Sequence, residues 1–284
     1  MTWIFRCNLS PFSPGALGIR PQPGQVRSGD RIRHLLGDGP LDAPGAARRL
    51  QDPLSFRCMP QVLGAALVAL DDLDAELLVD LNDSPDNPVV LVDEGICISA
   101  GNFHLPRLAQ TLDGVARALA WCATDSVSRV QRLMHGPHSG LAPLLASDAA
   151  DSAGFGPLLK PAEALRAQII HLANPVPVMG SHNADGIEDS ATFSALAASK
   201  LAELVSSLSL LVAFELVAAC QAIDLRSPGG TPPLAPALRP TYDAVRAICP
   251  FIDQDRPVGR QIESVAQQLV LPNRGGGPAA TDQA

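Results

Sequence analysis

An all-α bundle of long helices, preceded by an irregular N-terminal segment, is the fold class this sequence predicts. Three observations predict it. Ala and Leu dominate the hydrophobic 46% of the chain, while aromatics make up only 4%, a balance that favours closely packed helices over a β-sandwich. Apolar residues recur at three- and four-residue steps in several long stretches. Finally, the run from Asp189 to about Leu225 contains neither Gly nor Pro.

Residues 1–50 are rich in Pro, Gly and Arg. They read as an irregular segment with one short helix near Gly29–Leu36. The helical core occupies 51–271. Its first helix runs from Pro60 to about Leu81, where Val62, Leu63, Ala66, Leu67, Leu70, Leu73 and Leu77 share a face. Asn82 to Pro88 is a turn, and Val89–Ser99 alternates loosely around Gly95, as a short hairpin would. Pro106 suits a first helical turn, and the stripe from Leu108 to Leu133 predicts a second helix ending at Met134. A third spans Pro161–Leu172. The longest begins at Asp189 and is on the order of 50 Å long at 1.5 Å per residue. Apolar over much of its circumference, it must be covered by other helices or other subunits. The last helical stretches are Tyr242–Ile248 and Arg260–Leu271, and the Gly-rich tail 272–284 reads as disordered.

The formal charge of −8 argues against a partner held by phosphate contacts along a nucleic acid. The six cysteines, at 7, 58, 97, 122, 220 and 249, form no Cys-x-x-Cys. They read as free thiols in a reducing compartment. No secretory signal stands at the start, and a cytoplasmic location is expected. Leu204–Ile223 is apolar enough to suggest a membrane span. Glu215 and several serines inside it favour a buried soluble helix.

Arg57 can hold a carboxylate through two parallel hydrogen bonds, or simply pair with Asp52. Gln51 can orient a substrate polar group or close a turn. Gly101-Asn102-Phe103-His104 precedes a helix. There Asn102 can donate to an oxyanion or cap that helix, and Phe103 can wall a pocket. In Asp185-Gly-Ile-Glu188-Asp189, Glu188 can handle protons if Asp189 raises its pKa. The same spacing also suits a helix-capping box. His135-x-x-His138 has no acidic companion and does not read as a metal site. There is no Gly-x-Ser-x-Gly, no phosphate-binding Gly-x-x-x-x-Gly-Lys-Ser/Thr and no Gly-x-Gly-x-x-Gly.

In order and spacing these segments resemble the histidine and phenylalanine ammonia-lyase family. Gln51-Asp-Pro-x-Ser-x-Arg57-Cys-x-Pro-Gln61 is nearly the family's form. Ser84-Pro-Asp-Asn-Pro88, Ile98-Ser-Ala-Gly-Asn-Phe-His104, Asp185-Gly-Ile-Glu-Asp189, Ala219-Cys-Gln-Ala-Ile-Asp-Leu-Arg226 and Asp255-Arg-Pro257 resemble its later motifs. The similarity spans about Phe12 to Leu271 and corresponds to the family's C-terminal half. It implies a helical homotetramer with active sites built from several subunits, and elimination of ammonia from an aromatic amino acid to give an α,β-unsaturated acid. By the same resemblance, Arg57 holds the substrate carboxylate, Gln51 and Asn102 lie near the electrophile, Phe103 lines the pocket and Glu188 meets the amino or ring group. The acidic motif is similar to the histidine-type branch.

The departures also carry meaning. The family's methylidene-imidazolone electrophile forms from Ala-Ser-Gly, which this sequence lacks. Leu54 stands where the motif has tyrosine, and Tyr242 is the chain's one tyrosine. Leu159, Gln168 and Ser190 replace a glutamine, a glutamate and a histidine of the family. Two functions follow as expectations. One is an ammonia-lyase polypeptide that works with an N-terminal-half partner carrying the electrophile. The other is a non-catalytic oligomerisation or binding relative, or a truncated gene product.

Overall fold

The computed structural model describes residues 1–37, 45–147, 152–230, 232 and 234–271. Four long helices form the bundle: α5 (Met59–Asn82), α6 (Pro106–Met134), α8 (Leu159–Leu172) and α9 (Ser194–Arg226). Short α1 (Thr2–Phe5), α2 (Pro14–Gly18), α3 (Pro23–Leu36) and α4 (Leu54–Arg57) precede and flank α5. The four-residue α7 (Gly136–Ser139) follows α6, and α10 (Arg239–Ile248) and α11 (Gly259–Val265) follow α9. Two hairpins complete the fold: β1 (Val89–Leu91) with β2 (Ile96–Ile98), and β3 (Met179–Asn183) with β4 (Glu188–Ala191).

α6 and α9 run side by side in the same direction. Ala109 and Leu112 share one small core with Ala197 near their N-termini, and Arg129 meets Glu215 further along. α5 runs against α6, with Glu76 beside Arg107 and Leu73 near Leu112. α8 also runs against α6 and α9: Glu163 accepts from Gln131, and Gln168 donates to Glu203. The main core gathers Val127, Val130, Leu133, Ile169, Leu204, Leu211, Phe214 and Val217 between these helices. Each fully buried aliphatic side chain contributes roughly 1.5–3 kcal/mol.

α9 is long and apolar enough to cross a membrane, yet less than half of its most apolar stretch is buried by the rest of the chain. Glu215, within that stretch, lies inside the bundle in an ion pair with Arg129, which is the behaviour of a core helix. α3 packs on α5 through two bare backbones. A Cβ added to Gly64 would lie 2.5 Å from the Gln25 nitrogen, and one added to Gly24 would lie 2.1 Å from the Gly64 oxygen.

The predicted spans of α5, α6, α8 and the first hairpin hold to within two residues. Residues 1–50 are less irregular than their composition suggests. α3 begins at Pro23, not near Gly29, because proline occupies the helix's first position, where its missing N–H costs nothing. The larger correction concerns 185–193. The long helix starts at Ser194, and Glu188 lies in β4. Asp185 adopts φ +55° and Gly186 φ +87°, so Asp-Gly turns a hairpin where a capping box was expected. The final stretch is α11 followed by a wide helical turn over Ala266–Val270. The tail 272–284 lies outside the described residues.

Candidate functional site

The Gln51–Arg57 segment is held from below. The Asp52 side chain is buried, and its Oδ2 accepts from the Asn8 backbone N–H at 2.7 Å, while Asn8 Nδ2 donates to the Leu50 carbonyl at 2.9 Å. Burial raises the Asp52 pKa, and the Asn8 N–H and the fields of Arg49 and Arg57 oppose the rise. Cys7 beside it is pushed well up, first by burial and then by Asp52. Phe56 stacks on Phe5 with centroids 4.4 Å apart. With Asp52 and Phe56 anchored, Gln51 and Leu54 face outward, Leu54 being 60% exposed. Arg57 is half-buried and makes no ion pair with Asp52. Its Nε is shielded from solvent without a hydrogen-bond partner.

Behind this segment, Arg129 donates Nη1 to the Ser55 carbonyl at 3.2 Å and grips Glu215 through Nε (2.6 Å) and Nη2 (2.9 Å). Ser126 Oγ also donates to Glu215, at 2.5 Å. Burial works against the Arg129 charge. The Glu215 carboxylate and its hydrogen bonds outweigh that and leave its pKa raised. Sequence reasoning missed this cluster, although charges one turn apart on α6 and an acid inside the apolar run 204–223 of α9 were a usable signal.

Asn102, Phe103 and Glu188 lie at the other end of the bundle. Asn102 is exposed and caps nothing: α6 begins after Leu105 without a side-chain cap. Phe103 is 51% exposed. Ser190 Oγ lies 3.5 Å from His104 Nε2, which brings the β3–β4 hairpin against the Gly101–His104 turn. Glu188, on that hairpin, is exposed. Neighbouring apolar groups are uncovered as well, among them Val92 (82%) and Ile187 (86%).

The expected site residues therefore fall into two sets. Gln51, Leu54 and Arg57 stand beside Arg129. Asn102, Phe103 and Glu188 stand beside the start of α6. From Pro106 to Arg129 the helix axis covers about 35 Å. One chain does not bring the two sets together. Among the described residues no cluster of His, Cys, Asp and Glu could hold a metal.

Long helices with site residues at both ends, carried on these motifs, define the class: the chain belongs to the aromatic amino acid lyase family, whose pattern matches residues 1–247. It is 35% identical over 263 residues to the histidine ammonia-lyase of Anaeromyxobacter dehalogenans, covering 90% of this chain and 51% of that protein. With the histidine ammonia-lyase of Aromatoleum aromaticum it shares 34% identity, over 92% of this chain and 49% of that protein. Among solved structures it resembles the ergothionase of Treponema denticola, with a TM-score of 0.87 and 29% identity, over 94% of this chain and 53% of that one. The histidine ammonia-lyase of Trypanosoma cruzi gives a TM-score of 0.83 and 27% identity, over 95% and 50%. The chain thus spans about half the length of the relatives it matches. The family uses a methylidene-imidazolone group. The sequence carries no Ala-Ser-Gly triplet.

Proposed function

We propose that this chain supplies the binding walls of a histidine-type ammonia-lyase, cytoplasmic and tetrameric, whose electrophile comes from residues equivalent to the family's N-terminal half. The observation that carries the proposal is the division of the motif residues between the two ends of the bundle. Both sets are exposed or half-exposed, and neither has a partner set within the chain. Copies packed side by side in opposite senses would bring Arg57 of one within reach of Glu188 of another. The half-buried apolar residues along α9, among them Leu208, Val212 and Leu216, favour such packing.

In the assembled cleft, Arg57 holds the substrate carboxylate. Its fork is charged at every working pH, and its shielded Nε has a donor to spare. Asp52, fixed by Asn8, sets the turn from which Arg57 projects. Phe103 packs on the aromatic ring, Asn102 and Gln51 orient polar groups near the electrophile, and Glu188 faces the amino or ring nitrogen and exchanges a proton there. The β-proton of an amino acid is barely acidic. Without the electrophile these walls bind but leave most of the barrier in place. Leu54, in the position of the motif's tyrosine, favours a second reading, a relative that binds without turnover.

Purified alone, the chain should form no unsaturated acid from histidine, phenylalanine or tyrosine when ultraviolet absorbance is followed. Mixed with a polypeptide carrying a histidine ammonia-lyase N-terminal half, it should form urocanate from histidine. Turnover by these residues alone would overturn the account of the missing electrophile, and stable assembly without turnover would establish the second reading. In an active mixture, Arg57→Ala should lower kcat/KM by about a hundredfold or more, the loss expected for a bidentate charged contact. An unchanged kcat/KM would remove Arg57 from the carboxylate role.

A further inference from the structure

Five guanidinium groups converge where α6 and α9 end. At their centre is the turn Pro137–Gly140, formed by α7 and the residue after it. Arg48 donates Nη1 to the His138 carbonyl at 2.9 Å and Nη2 to the Pro137 carbonyl at 3.2 Å. Arg49 reaches the same two carbonyls through Nη2, at 2.9 and 3.4 Å. Arg226 Nη2 donates to the Ser139 and Ile4 carbonyls at 2.6 and 2.7 Å. Arg132 Nη1 is 3.5 Å from His138 Nδ1, and the His135 and His138 rings lie 4.4 Å apart. Arg6 closes the group by donating Nε to the Ala46 carbonyl at 3.0 Å. Gly140 shapes the cradle. At φ +70° and with no side chain, it lets Arg48 lie against it, where a Cβ would meet Nη1 at 2.7 Å.

Carbonyls orient these cations but do not neutralise them. Among the described residues, Arg27, Arg33, Arg107, Arg129, Arg166 and Arg246 each pair with a carboxylate, whereas Arg6, Arg48, Arg49, Arg132 and Arg226 do not. Asp52 lies near Arg49, its pKa raised by burial against the opposing Asn8 N–H and Arg49, and Asp224, which lines the adjoining cavity, is paired with Arg246. Nη1 of Arg49 and Nε of Arg226 are shielded without hydrogen-bond partners. The His138 pKa is lowered, first by burial and then by His135, Arg132, Arg49 and Arg48. Burial and then Arg48 and Arg6 lower that of Arg226. Helix C-termini favour one cation each. They do not account for five on a chain of net charge −8.

We propose that this cluster binds a phosphomonoester, with the phosphate on Arg48, Arg132 and His138 and the organic body in the adjoining cavity. That cavity, of about 600 Å³, is lined by Gly140, Leu141, Asp224, Leu225 and Phe251 among others. Arginine forks match phosphate oxygens in bidentate geometry, and a dianion answers more of the uncompensated charge than a carboxylate does. The site does not rest on the lyase reading: the groups placed on the phosphate, Arg48, Arg132 and His138, lie outside the motif residues, and Arg226, which ends one motif, braces the turn through the Ser139 and Ile4 carbonyls.

Calorimetry on the full chain at pH 7 and fixed ionic strength tests it, with inorganic phosphate, phenyl phosphate, benzoate and an oligoglutamate peptide as probes in a chloride background. The His138 ring proton is followed by NMR. Phenyl phosphate should bind saturably, more tightly than phosphate, and raise the His138 pKa. Arg48→Gln and Arg132→Gln should each weaken it about tenfold, with the helical signal and Tm in chloride unchanged. If either variant misfolds, His138→Gln takes its place. Equal affinity for phosphate and phenyl phosphate overturns the role of the cavity. Tighter binding of oligoglutamate, affinity unaltered in the folded variants, or no saturable heat overturns the phosphomonoester site.

Discussion

Replacing Glu215 by alanine isolates the interaction that ties the two longest helices to the Arg57 segment. Arg129 and Glu215 are 11% and 16% exposed at the side chain, and they meet through two hydrogen bonds. Removing one partner of a buried pair costs about 3–5 kcal/mol, because the other charge is left without compensation. Arg129 keeps its bond to the Ser55 carbonyl, which places the expected loss near the lower end, about 3 kcal/mol. Loss of the acceptor for Ser126 Oγ adds roughly 1 kcal/mol. The double replacement Arg129→Met with Glu215→Leu removes both charges at similar volume. It should lie within about 1 kcal/mol of the parent. Urea unfolding followed by circular dichroism, at one fixed protein concentration since association shifts apparent stability, measures these variants together with Arg129→Met and Glu215→Leu, the single corners of the cycle. A single-variant loss below about 1 kcal/mol, or a double variant as unstable as the singles, would refute the assignment of this pair as a buried tie.

Gly64→Ala should cost about 1–3 kcal/mol by overpacking, since the new methyl meets the Gln25 nitrogen and Gly24 carbonyl carbon rather than a movable side chain. An unchanged midpoint in the same assay would show that α3 does not rest on α5. Asp52 tests the pH response. Its folded pKa is raised above the ordinary 3.8, so the folded state holds its proton more tightly than the unfolded chain. Stability from this group is therefore lost as pH rises from about 4 through the folded pKa. Asp52→Asn should flatten that part of a plot of Tm against pH, and a slope identical to the parent's would show that Asp52 does not cause it.

The bounds of α6 are legible in the sequence because Pro106 suits a first turn and the stripe from Leu108 to Leu133 never breaks period. α5, α8 and the first hairpin are legible for the same kind of reason. The start of α9 is not. Asp185, Glu188 and Asp189 carry helix-capping spacing, and the backbone preference of Asp-Gly for a turn overrides it. α3 is obscured because Pro and Gly read as breakers until Gly64 is seen to lie against Gly24. Of the candidate site, the motif pattern supplies the candidate residues. It does not bring out their separation, because sequence order says little about which end of a 29-residue helix a neighbouring segment meets. Arg129 and Glu215 escape notice because their partnership spans 86 positions.

Under the proposed assembly, the lengthwise division of the motif residues would have a genetic consequence. In an assembly of opposed copies, a molecule damaged at Arg57 still offers a sound Glu188 end, and one damaged at Glu188 still offers a sound Arg57 end. Two defective alleles expressed together would then rebuild some intact clefts, each drawing its healthy ends from different mutants.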